Sequence, residues 1–349
     1  MRYLTITLAA CAVVLPAYGH HSDAALEMDR VLTLEGTVTE FSLRNPHAYV
    51  VVSVTDENGE QQEWTAQMGS MITLMRRGWA RDSLAVGDEV TVALHPARDG
   101  RPYGLVTMVE KGGAPIGVDV PIETQRNVAV SQMPRATSVE GRWIVDSESL
   151  SDDYPGGLDQ LAARDLTLTE RGRIAYEAFS QDSEENPELT CVPKPTPSMI
   201  VYTDLYPIEI TDNGDQTLTI RSQYFDDTRT VYMDGRAHPD PSVRSATGHS
   251  VGHYEGDTLV VDTRNFADHR SPYQNGIPSG AQKHVVERYR LIDDGARMEV
   301  EFFLEDPEYI VGSMTHRRAL LYRPNSDMSS FNCDEEATRR FLPSNLIGN

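Results

Sequence analysis

From Leu32 to Phe41 the chain alternates apolar and polar positions, the two-residue period of a strand with one buried face. Ala48 to Thr55 and Gln61 to Met68 read as two more strands, joined across the turn residues Asn58 and Gly59. The period then changes. Ser70 to Arg77 reads as a short helix, with Ser70 as N-cap and Gly78 just past its end. Turns at Ala85 to Asp88 and at Asp99 and Gly100 lead into strands at Glu89 to Leu94 and Gly104 to Glu110. Three strands, a helix and two strands is the order of an OB-like five-stranded barrel. This domain is expected over residues 20–111.

Residues 112–137 hold Pro115, Pro121 and Pro134 with little periodicity, and read as a linker. A larger β-barrel domain is expected over residues 138–342, followed by a tail at 343–349. Its strands are placed at Gly141 to Trp143, Ser198 to Thr203, Gln216 to Tyr224, Thr228 to Met233, Thr258 to Asp262, His284 to Leu291, Arg297 to Leu304 and Ser313 to Tyr322. Short helices are expected near Thr169 to Phe179 and Asp334 to Phe341. Gly141 and Trp143, spaced as Gly-x-Trp on a first strand, resemble the signature of lipocalins and related calycin barrels. The resemblance implies an antiparallel barrel around a small-ligand cavity, with Arg317 or Arg318 near Trp143. The fold class is therefore mainly β.

The N-terminus adds an address. Arg2, an apolar run from Tyr3 to Leu15, and Ala17 to Gly19 form the pattern of a cleavable secretory signal over residues 1–19. A lipobox ending at Cys11 is the competing reading, disfavoured because the apolar run continues past it. A periplasmic or secreted protein with no transmembrane segment is expected. Cleavage after Gly19 leaves Cys191 and Cys333, 142 residues apart, and one disulfide between them is expected in an oxidising compartment.

Charge narrows the partners. Lys and Arg number 31 against 53 Asp and Glu, a net charge of −22. Such a chain repels nucleic-acid phosphates, so a small molecule is the expected partner rather than DNA or RNA. The balance also keeps an exported protein soluble.

Several stretches together resemble an uncharacterised family of exported bacterial proteins. They are His20 to Ser22, Gly36 to Phe41, Asn45 to Ala48, Arg77 to Trp79 and Pro96 to Gly100, then Tyr232 to Arg236 with His238 and Pro239, Gly248 to Ser250, and Tyr254 to Thr263. Tyr254 stands where the family pattern has Trp, and Arg264 to Phe266 lacks an expected glycine. Neither departure removes a candidate catalytic group. The resemblance supplies no activity.

Candidate chemistry comes from three clusters. Asp262 ends an apolar strand, where desolvation is expected to raise its pKa, and His284 lies on a later strand. With these two facing the barrel interior, cofactor-free acid/base catalysis is the first reading, with Asp234, Arg236, His238 and His249 forming the mouth and Arg236 and His238 positioning a small organic ligand. A mature N-terminal His20, with His47 or His21, offers a nitrogen-rich site suited to Cu(II), the alternative reading. His249, His253 and Glu255 form a weak zinc pattern, with no third ligand fixed by spacing. A non-catalytic envelope interaction protein is the third alternative. The nucleophile elbow, phosphate loop and dinucleotide fingerprint are all missing from the sequence.

Overall fold

The computed structural model describes residues 25–55, 58–117, 132–146, 149–150, 165–179, 186–201, 203, 205–268 and 276–342. The leader, Cys11, His20, His21 and the 343–349 tail lie outside the described residues.

The first barrel has strands β1 (Leu32–Ser42), β2 (Tyr49–Thr55) and β3 (Gln61–Gln67), helix α1 (Met71–Arg76), and strands β4 (Glu89–Pro96) and β5 (Tyr103–Lys111). The sheet runs β3-β2-β1-β4-β5, and a parallel β3–β5 pairing closes it. This is the expected OB-like order. Ser70 caps α1 by accepting from the Thr73 amide, leaving Ile72 and Leu74 buried. Gly36 is required by packing: a Cβ there would stand 2.3 Å from the Ser53 carbonyl oxygen on β2.

The larger barrel is built from nine strands: β6 (Gly141–Val145), β7 (Ile208–Asp212), β8 (Thr217–Ser222), β9 (Thr228–Tyr232), β10 (His249–Glu255), β11 (Thr258–Arg264), β12 (His284–Ile292), β13 (Arg297–Glu305) and β14 (Ser313–Tyr322). They follow one another around the barrel in chain order, with β6 and β7 closing the ring against β14 and β8. Helix α2 (Glu170–Ala178) precedes β7, and α3 (Glu335–Arg339) follows β14. Two expectations are corrected. Ser198–Val201 is a helical turn, all four residues buried, because a short apolar run inside a core carries no period to separate helix from strand. The barrel is not wholly antiparallel either, since β9 and β10 pair in parallel through Val231 with Ser250 and Tyr232 with Val251.

Inward positions alternate along the strands, with Leu259, Val261, Val285, Val300, Phe302 and Leu304 all fully buried in one core. Trp143 is fully buried, donates to the Val139 carbonyl at 2.9 Å, and packs against Tyr322 opposite it at 5.0 Å. Of the two arginines considered, Arg318 is the inward one and bonds the Val201 carbonyl, whereas Arg317 pairs outside with Glu301.

The segment after β14 crosses back to the first barrel. Asn45 donates to the Phe331 carbonyl, Tyr49 to the Ala337 carbonyl, and Arg340 pairs with Glu40. Cys191 and Cys333 form the expected disulfide. Beside it, Ile72 of α1 packs with Tyr206, Phe225 and Phe331, so the two barrels share a small core.

Candidate functional site

The parallel seam decides where the polar motifs go. Parallel neighbours cannot be joined by a tight turn, so the chain between β9 and β10 must double back over the barrel. Residues 233–248 make that return outside it. Asn265 donates to the Pro239 and Asp240 carbonyls, and Ser245 bridges to Phe266, which holds the return against the end of β11.

The return begins with a turn. The Asp234 carboxylate accepts from the Arg236 backbone amide and guanidinium, and that hydrogen bond holds it down to about 2. The Arg236 guanidinium lies 3.9 Å from the centre of the Tyr232 ring, and Tyr232 stacks on His249 at 5.0 Å and 20°. Two residues on, His238 reaches both His249 and β11.

Here a continuous polar chain forms. His284 Nε2 lies 2.9 Å from Asp262 Oδ2, and its Nδ1 lies 3.0 Å from Glu305 Oε1. Asp262 Oδ1 faces His238 Nε2 at 3.0 Å and also accepts from Arg264 at 3.2 Å. His238 Nδ1 then meets His249 Nδ1 at 3.0 Å.

The partners fix the protons. Both His284 nitrogens face carboxylates, which only accept, while Nδ1 also lies 3.3 Å from the donor-only Arg264 guanidinium, so the carboxylates favour an imidazolium and Arg264 opposes it. Burial opposes that charge, but the hydrogen bonds to Asp262 and Glu305 outweigh it and raise its pKa. Burial likewise works to raise Asp262, yet His284, Arg264 and His238 together hold it below the usual carboxylate range. The expected upward shift is therefore corrected: desolvation is present, and cationic neighbours overcome it. Asp262 accepts a hydrogen bond from His238 Nε2–H, and in that tautomer His238 accepts at Nδ1. His249 must donate from its own Nδ1, so its Nε2 carries the lone pair. Burial, with the charge of Arg236, pushes the His249 pKa down, which disfavours a second proton on that ring. His249 lines a cavity of about 320 Å³ between β9 and the returning segment.

All five expected catalytic residues, Asp262, His284, Asp234, Arg236 and His238, thus join one contact chain. Their location is corrected. Leu259, Val261 and Thr263 are the inward set on β11, so Asp262 faces outward with His284. Two roles change with it: His238 belongs to the relay rather than to a barrel mouth, and His249 ends it. Glu305 is an addition that was legible in the sequence. The hairpin turn at Asp294 and Gly295 places His284 directly opposite Glu305.

The inward phase holds a separate polar cluster. Arg229 pairs with Glu287 at 2.5 Å and bonds Thr263 and the Tyr289 hydroxyl. Lys283, buried over the Phe266 ring, is pushed down to about 7 by burial, and burial lifts Asp227 to about 6. A charged residue in phase with apolar neighbours, such as Glu287 between Val285 and Tyr289, is its sequence signal.

The metal readings fare differently. His249 turns to His238 and His253 to Glu255, and among the described residues no group of three His, Cys, Asp or Glu is placed to hold a metal ion. The zinc pattern is thereby corrected: its residues have other partners. His47 lies beside Gln67 at 3.4 Å, its pKa lowered by burial, while His20 and His21 are outside the described residues.

Fold and site define a two-barrel β protein with a histidine–carboxylate relay on the outer face of its larger barrel. Residues 8–107 match a family of unknown function, DUF6152, a stretch covering β1 to the middle of β5. No curated protein matches the chain. No helix among the described residues is long and apolar enough to cross a membrane.

Proposed function

We propose that this is an exported protein that binds a small organic ligand in the cavity beside β9 and moves a proton on it, with His249 Nε2 as the base. The observation that carries the reading is the end of the relay: His249, whose Nε2 has no partner among the described residues, lines a cavity of fragment size. Asp262 and His238 orient the base and stabilise the imidazolium formed when it takes the proton. This is the division of labour of a carboxylate–histidine pair, extended by one ring. His284 and Glu305 are positioning residues, holding Asp262 in place. Export is supported by the N-terminal leader pattern and suits the disulfide.

Asp262→Asn tests the relay. The His284 imidazolium keeps the remaining oxygen, so the new amide turns its NH₂ toward His238. Both tautomers then invert, and His249 carries its proton on Nε2. Nitrogen-15 NMR of the ring is expected to show unprotonated Nε2 in the native protein and protonated Nε2 in the variant. Once a turnover assay exists, the same change should lower kcat by roughly 10³–10⁴-fold. A native protein already protonated at Nε2 sinks the reading and leaves a non-catalytic binding protein. Intact mass of the protein secreted by its host, with a terminus at His20 expected, tests export.

A further inference from the structure

The cavity's lining differs in kind from the rest of the chain. Acidic residues outnumber basic ones 53 to 31 overall, yet no acidic residue lines this cavity among the described residues. Arg244 and His249 do, with Thr230, Thr247 and Tyr232. Among the described residues Arg244 is paired only with Asp268, at 3.3 Å, and that carboxylate is 89% exposed, so water screens the pair and a ligand can displace it. The Thr230, Thr247 and Tyr232 hydroxyls have no protein partner among the described residues. Arg236, over the Tyr232 ring, is already paired with Asp234 at 2.6 Å, which leaves Arg244 as the cation set against the screened carboxylate.

A guanidinium and free hydroxyls converging without a carboxylate match an oxyanion, which takes charge-assisted hydrogen bonds from just such donors. A cation would meet the Arg244 guanidinium and find no carboxylate on the lining. We propose that the cavity takes a small organic acid as its anion, the carboxylate at the Arg244 guanidinium and an acidic C–H or O–H directed at His249 Nε2. In the reaction that proton moves to Nε2 and the bonding electron pair stays on the ligand. This placement rests on the relay reading; the anion preference rests on the lining. An acidic protein also narrows selection to small anions, since a polyanion is repelled by the surrounding surface.

The test uses three probes of one shape: benzoate, benzamide and benzylamine. Calorimetry on the intact protein is expected to show benzoate binding at least roughly tenfold tighter than the other two, and Arg244→Gln losing about that factor for benzoate alone. Arg244→Lys should restore part of it, which separates charge from folding. Bound benzoate should also raise the His249 pKa, followed by proton NMR, because a nearby anion favours the imidazolium. Equal binding of benzamide or benzylamine, no benzoate binding at millimolar concentration, or an indifferent Arg244→Gln would overturn the proposal. The relay fails separately, through the His249 tautomer in the ligand-free protein, so a correct tautomer without anion binding removes the substrate class alone.

Discussion

At the residue scale, the site depends on one carboxylate held between two imidazoles that differ in protonation. Hydrogen bonds to Asp262 and Glu305 raise the His284 pKa against burial and Arg264, and burial beside positive charge lowers that of His249. It has a signed pH consequence. The folded-state pKa of His284 is raised, so its contribution is complete below the unfolded value of 6.5 and is lost as pH rises through the folded value. Asp262 is lowered, so its contribution is present above 3.8 and is lost as pH falls through its folded value. The pair is strongest between those limits. His284→Gln should therefore lower the urea midpoint most near pH ~5 and least near pH ~9. A deficit that grows with pH would contradict the imidazolium assignment.

At the element scale, the parallel β9–β10 seam produces the site. A tight hairpin there would have left Asp234 and His238 in a short turn; the doubled-back connection lays them over β11 instead. Gly248 is the hinge into β10, with φ +74° and a Cβ position 2.7 Å from the Arg264 carbonyl oxygen. Gly235 has the same φ of +74° with nothing within 4 Å. Both alanine variants meet backbone strain, but only Gly248→Ala also meets backbone atoms. It should destabilise by about 1–3 kcal/mol more than Gly235→Ala in thermal unfolding and disturb the His249 NMR signal. Equal effects would mean that the approach at Gly248 relaxes freely.

At the scale of the whole molecule, the segment after β14 and the disulfide connect the two barrels. The Asn45 to Ala48 stretch serves this contact: Asn45 is fully buried and holds the Phe331 carbonyl. The bond closes a span of 142 residues, where loop entropy in the unfolded chain is large. Cys191→Ser with Cys333→Ser should lower stability by about 2–5 kcal/mol and expose Arg339 and Arg340 to trypsin. An unchanged urea midpoint and an unchanged digestion pattern would show that the shared core around Ile72 and Phe331 suffices alone.

Much of the architecture was legible in local pattern. Alternation from Leu32 to Phe41, the Ser70 cap and the turn glycines determine the OB-like order, because strand period and turn chemistry act within a few residues. Cys191 and Cys333, the two cysteines beyond the leader-like segment, likewise leave one pairing. The relay was legible only in its members. Which face of β11 meets the core depends on barrel closure, since a period of two marks two faces without saying which is buried. The direction of the Asp262 shift depends on His284, Arg264 and His238, brought in from other segments. The contact between His249 and His238 arose only when a parallel pairing no local signal encodes carried His238 across the barrel's outer surface. Sequence chose the groups, and tertiary structure decided their faces, protons and charges, because those depend on neighbours far apart along the chain.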